Sequence, residues 1–248
     1  VSQTLLHRAN GIRVQKYFDE RVTTGCTAYI FNDANIEGQV AALKNKKLGG
    51  CNIYMEDGFA AYGSERLPRL GKTQLLLAKL IYGGWYQNVE ILGESAHIDS
   101  IMAFYPNNIR SELRSANVSQ LPRDILTNLD LGLRTKILKN LNAEVMRHQY
   151  DALIILPHSS YVRRHNIPNI IHTYSDLIEE MKKLNYSIGI KYHPRETESN
   201  YLDIDVASGV SILPQDIPIE VLFYGNDETP PKFVIGDSST GLLTARTI

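Results

Sequence analysis

The sequence predicts an α/β protein of two Rossmann-like domains facing a cleft. Two observations carry this. Short apolar runs with strand character alternate with helical stretches along the chain, and such alternation builds parallel sheets covered by helices. The alternation also stops and restarts around a polar stretch at 119–150, and 248 residues are comfortable for two domains.

The chain opens in a stretch that reads as helix. "CTAYIF" (26–31) is strand-like, and "NIEGQVAALKN" (35–45) reads as a helix with Asn35 as its cap. "GGCNIYM" is a second strand, ending at "EDG". Residues 73–82 have helical spacing, and "VEILGE" and "SIMAFYP" read as short strands. The 119–150 stretch reads as polar and helical. Then follow strand "DALIILP", helix "SDLIEEMKKLN", strands "SIGIKYH" and "VSILP", helix "IPIEVLFY" and strand "PKFVIGD". The first domain is placed at 1–125 and the second at 126–248. "SSTGLLTARTI" reads as the start of a further helix, so a piece of a longer protein is expected, with both domains incomplete.

Composition narrows the class. Hydrophobic residues make up 43% and charged residues 21%, an ordinary globular balance. A formal net charge of −1 argues against a general nucleic-acid binder, which needs a large basic excess. No apolar run approaches the roughly 20 residues of a membrane span, and the first twenty residues lack the pattern of a signal peptide. Cys26 and Cys51 make neither a disulfide framework nor a zinc motif. Each is expected in or beside a buried strand, and a reducing cytoplasm fits.

In open parallel sheets, ligands bind beyond the carboxyl ends of the strands. Five segments stand there: "EDG" (56–58), "PHSS" (157–160), "HPRE" (193–196), "PQDIP" (214–218) and "DSST" (237–240). Glu56 and Asp57 form either an exposed acidic turn or a base with a supporting acid, since two adjacent carboxylates of an extended segment diverge. His193, flanked by Lys191 and Arg195, suits an anion such as phosphate; the other reading is a histidine packed at a sheet edge. Ser238 and Ser239 either cap a helix or stand at a phosphate site, the two uses of a helix start. "GKT" (71–73) is no P-loop, because Arg66 occupies the position of the required glycine.

Taken together, Glu56-Asp57-Gly58, His193-Pro194 and Ser238-Ser239-Thr240 resemble the three motifs of bacterial sialyltransferases of the capsular polysialyltransferase and lipooligosaccharide sialyltransferase type. "YMEDGFAAYG", "IKYHPRE", "ILPQDIPIEVLFY", "VIGDSSTGLL" and "LGESAHIDSIMAFYPN" extend the likeness from about residue 26 onward. The resemblance implies a GT-B architecture, with acceptor on the first domain and donor on the second. It implies inverting transfer of sialic acid from CMP-sialic acid to a sugar hydroxyl, in capsule polysialic acid or lipooligosaccharide synthesis, with no metal or other cofactor. On this reading Asp57, with Glu56 as rival, is the base, and His193 stands at the leaving phosphate. Ser238, Ser239, Ser159, Ser160 and Pro194 would surround the donor phosphate, while Pro218 and Glu220 would contact cytidine. Arg163 and Arg164 would guide an oligosaccharide or polysialic acid acceptor, with peripheral association at the cytoplasmic face of the inner membrane. Lys44, Lys46 and Lys47 form a second basic cluster, read as solvated surface. Two other readings stay open: another nucleotide-sugar transferase or epimerase of the same architecture, and a non-catalytic nucleotide-binding pair of domains.

Overall fold

The computed structural model describes residues 2–56, 58–114, 116–122, 130–141, 150–164, 169–198, 209–224, 231–237 and 239–247. The chain divides into two compact units, Val1–Pro122 and Arg123–Ile248. Each carries a parallel four-stranded sheet, so the α/β class holds in both.

In the first unit, helix α1 (Ser2–Asp19) precedes β1 (Thr27–Ile30), α2 (Ile36–Lys47), β2 (Cys51–Met55), α3 (Lys72–Tyr82), β3 (Ser100–Ala103) and β4 (Asn117–Gln120). The strands pair in chain order, β1-β2-β3-β4. Asn35 caps α2 as its side chain accepts the Gly38 N–H at 2.7 Å. Tyr54, Ile101 and Ala103 from the sheet pack with Ile91, Ile109 and Leu113 to form the core.

Two expectations fail here, for physical reasons. "VEILGE" is not a strand. Val89 and Ile91 are buried, but side chains take the N–H groups that a ladder would use. Glu94 accepts those of Glu90 and Ile91, and the buried Asp33 accepts those of Gly93 and Ser95 at 2.8 and 2.9 Å. Burial pushes the Asp33 carboxyl above the usual range, and these two N–H groups pull it back. At the other end, Ser119 and Gln120 belong to the edge strand β4 instead of a helix. Its alternate residues are exposed, so no apolar run advertises it. Cys51 begins β2 and is exposed, while Cys26 is half-buried.

In the second unit the order is α4 (Leu131–Asn140), β5 (Ala152–Ile155), α5 (Ser159–Arg164), α6 (Ile170–Lys183), β6 (Ile188–Lys191), β7 (Val210–Ile212), α7 (Ile219–Tyr224), β8 (Phe233–Gly236) and α8 (Thr240–Thr247). Helix α6 begins earlier than the expected Ser175, and the short α5 was not anticipated. The strands pair as β7-β6-β5-β8. After two steps one way, the chain returns to the far side of β5, which is the strand reversal of a Rossmann-like sheet. Both faces are covered. Ala152, Ile154, Ile188 and Ile190 pack on Tyr174, Ile178 and Met181 of α6, while Leu153 packs with Leu213, Ile219 and Ala245 on the other side. All residues of β5 and β6 are accordingly buried.

Candidate functional site

At the carboxyl edge of the second sheet lies a pocket of about 560 Å³. Its walls come from the segments after β5, β6 and β8 and from the start of α7, and they include His158, Tyr161, Lys191, His193, Glu220 and Ser239. Parallel strands deliver these positions together because every carboxyl end points the same way. Gly241 permits the close approach of α8: a Cβ there would stand 2.9 Å from Ile155 Cδ1 and 3.0 Å from Ile219 Cγ2.

The turn at 193–196 is fixed by its own main chain and by its neighbours. The Glu196 N–H donates to the His193 carbonyl at 2.9 Å. The Gln215 amide donates to the carbonyls of His193 and Glu196 at 2.8 and 2.6 Å. The His193 ring then turns Nδ1 toward the Arg195 N–H at 3.1 Å. That nitrogen is an acceptor, so the neutral ring carries its proton on Nε2. Burial is the largest cause lowering the His193 pKa, followed by the neighbouring His158 and Arg195; Glu196 opposes them.

Lys191 is only 2% exposed. Its ammonium donates to the Gln215 carbonyl at 2.8 Å. Burial pulls its pKa down, and the carboxylates of Asp216 and Glu220 push the other way. An ammonium and an imidazole N–H at one pocket wall suit an anionic group. Asp237 and Glu220 line the same pocket, and Glu220 accepts from the Thr244 hydroxyl at 3.4 Å. Tyr174 is pushed up to about 12, by burial first and then by the charge of Asp237.

Of the donor-side residues expected from sequence, Pro194, Pro218, Glu220 and Ser239 line the pocket with His193. Ser159 and Ser160 are not part of that lining. Ser159 is buried, and its hydroxyl donates to Glu196 at 3.0 Å. The Ser160 hydroxyl lies 2.8 Å from His158 Nδ1. Ser238 lies outside the described residues. Arg163 is engaged by Glu198, both of whose oxygens lie within 2.9 Å of Nη1, while Arg164 is exposed. Sequence reasoning passed over His158, although "PHSS" sits at a strand end, and over the burial of Lys191 and Glu196.

On the first unit, Glu56 is buried at 5% exposure. The Tyr62 hydroxyl donates to its Oε2, and the Phe104 N–H donates to the same oxygen at 2.8 Å. The Tyr105 N–H donates in turn to the Tyr62 oxygen at 3.1 Å. Burial, followed by the bond to Glu56, raises the Tyr62 pKa. Gly58 has φ +140°, which a side chain would strain. Asp57 lies outside the described residues. Lys44 and Lys46 pair with Asp19 and Asp99.

Among the described residues, no group of three or more His, Cys, Asp or Glu could hold a metal ion. No described helix is long and apolar enough to cross a membrane.

The second unit thus has the layout of a Rossmann-like α/β protein, with its ligand pocket beyond the strand ends. The family follows from the sequence as a whole: it matches the model described as alpha-2,8-polysialyltransferase (POLYST) over residues 9–248, and the chain belongs to that family. No curated protein matches it. Membership makes the chain a sialyltransferase of the bacterial polysialyltransferase type, an enzyme of polysialic acid synthesis with a nucleotide-sugar donor and an acceptor.

Proposed function

We propose that the enzyme transfers sialic acid from CMP-sialic acid to a sugar hydroxyl by one displacement with inversion, within a GT-B architecture, in capsule polysialic acid synthesis. The observation that carries this is His193, held at the pocket wall with its proton on Nε2. Breaking the bond between the sugar and the CMP phosphate leaves negative charge on a phosphate oxygen. An Nε2–H aimed at that oxygen transfers or shares its proton as the charge develops. Lys191 and Ser239 line the same pocket and would add an ammonium and a hydroxyl without need of a metal. Pro218 and Glu220 would face cytidine, with Glu220 accepting ribose hydroxyls.

The acceptor hydroxyl loses its proton to a base on the first unit. Asp57 takes this role in preference to Glu56, whose carboxylate is already bound by Tyr62 and Phe104. One base and no protein nucleophile give inversion. Arg163 and Arg164 would guide an anionic acceptor, and peripheral attachment at the cytoplasmic face of the inner membrane would bring the enzyme to it.

The test is transfer from CMP-sialic acid to oligosialic acceptors, with products read by mass spectrometry. His193→Ala should lose at least about a hundredfold in rate, the contribution of a positioned proton donor. A loss under about tenfold, or UDP bound as tightly as CMP, would overturn the reading.

A further inference from the structure

We infer that His158 is a positioning residue for His193, holding that imidazole in one tautomer and one orientation through the main chain of Arg195. The inference rests on the reading of His193 as the group at the leaving phosphate.

Residue Arg195 links the two rings. Its N–H donates to His193 Nδ1 at 3.1 Å, and its carbonyl lies 3.1 Å from His158 Nε2. The direction of the second bond is fixed from the far side of His158. There the Ser160 N–H donates to Nδ1 at 3.0 Å, and the Ser160 hydroxyl lies 2.8 Å from the same nitrogen. A backbone N–H can only donate, so His158 Nδ1 is unprotonated and Nε2–H is the donor to Arg195. Glu196 Oε2 is 3.9 Å from His158 Nδ1, beyond hydrogen-bond reach, and accepts the Ser159 N–H instead.

The result is a relay of fixed donors. Ser160 sets the tautomer of His158, His158 holds the Arg195 carbonyl, and Arg195 sets the tautomer of His193. The rings also meet edge to face, with centroids 5.1 Å apart and planes at 70°. This contact braces the His193 ring on one side. A ring whose Nδ1 is committed in this way presents Nε2–H to the pocket on every turnover. Loss of His158 would let the Arg195 carbonyl move and the His193 ring rotate, and misplacement on that scale slows a reaction more than it weakens binding.

The experiment compares the wild-type protein with His158→Phe, which keeps a ring but neither nitrogen, and His158→Gln, whose amide can still donate to the Arg195 carbonyl. Ring-nitrogen NMR of His193 should show a single Nε2–H tautomer in the wild type and a mixture in His158→Phe. Transfer by His158→Phe should slow by about tenfold to a hundredfold, with the donor KM within about twofold, and His158→Gln should recover most of the rate. A wild-type His193 protonated on Nδ1 would overturn the inference without any variant. So would an unchanged tautomer in His158→Phe, or a raised donor KM at unchanged kcat, which would make His158 a binding residue. Loss of thermal stability with the His193 tautomer unmoved marks a merely structural role and also overturns it. His193→Ala is assayed alongside: if it keeps its rate, the catalytic reading fails, while the NMR still decides what His158 does.

Discussion

The Glu196 carboxylate accepts both the main-chain N–H and the hydroxyl of Ser159, at 2.7 and 3.0 Å. It ties the turn after β6 to the first residue of α5. Burial alone would raise its pKa, but the N–H groups of Glu198, Ser159 and Thr197 and the Ser159 hydroxyl outweigh burial and hold it at about 2.

The first prediction follows from the sign of that shift. A carboxyl depressed on folding contributes stability above its unfolded value near 4.5, and the contribution fades as pH falls toward about 2. Discounted for the solvent near this turn, it amounts to about 2 kcal/mol. Glu196→Gln should therefore be less stable than wild type at pH 7, with the gap narrowing by pH 3. Urea unfolding across that range measures it, and a gap independent of pH would assign the effect to packing instead.

A second prediction separates the two acids at the end of β2. Glu56→Gln should lose about 1–3 kcal/mol of stability, because a neutral amide oxygen accepts the Tyr62 hydroxyl and the Phe104 N–H more weakly than the carboxylate does. Asp57→Asn should keep its melting temperature and lose at least about a hundredfold in transfer rate. The opposite pattern would move the base to Glu56.

Gly241 yields the third. An alanine Cβ would press on Ile155 and Ile219, costing about 1–3 kcal/mol and shifting the start of α8. Because Ser239 precedes that helix at the pocket wall, Gly241→Ala should raise the donor KM severalfold. A donor KM equal to wild type would show that the isoleucine tips simply give way.

The fourth concerns the acceptor. Both arginines are exposed, and Arg163 already shares its charge with Glu198. Arg164→Ala should raise the KM for a long polysialic acceptor more than for a short neutral one, and Glu198→Gln should lower it. Equal changes for both acceptors would remove the acceptor path from this helix.

The legible part of this molecule was the part that local pattern dictates. The buried runs of β5 and β6 have no polar residue before Lys191, so they read as central parallel strands, and the rule of strand ends then picked out His193, Pro194, Pro218 and Ser239, which line the pocket; Glu220, also on its wall, came from the start of the helix that follows. What escaped depends on residues far away in sequence. Nothing in "VEILGE" reveals that Asp33 takes its neighbours' N–H groups, or in "NVSQ" that β3 offers it a ladder. Ser159 read as a phosphate ligand because it follows the first strand of the second domain, and nothing local shows that Glu196 is buried against it.

The place of β5 between β6 and β8 bears on how the protein is made. Ala152 pairs with Ile188 on one side and Phe233 on the other, the second partner lying 81 residues on (233 minus 152). A growing chain emerging from the ribosome can zip the first ladder long before the second exists. Through that interval β5 is a bare hydrophobic edge, open to a wrong partner. The pocket is unfinished over the same interval, since Asp237 and Ser239 follow the strand that closes the sheet. Until Phe233 to Gly236 are made, the second unit therefore carries an unpaired strand edge.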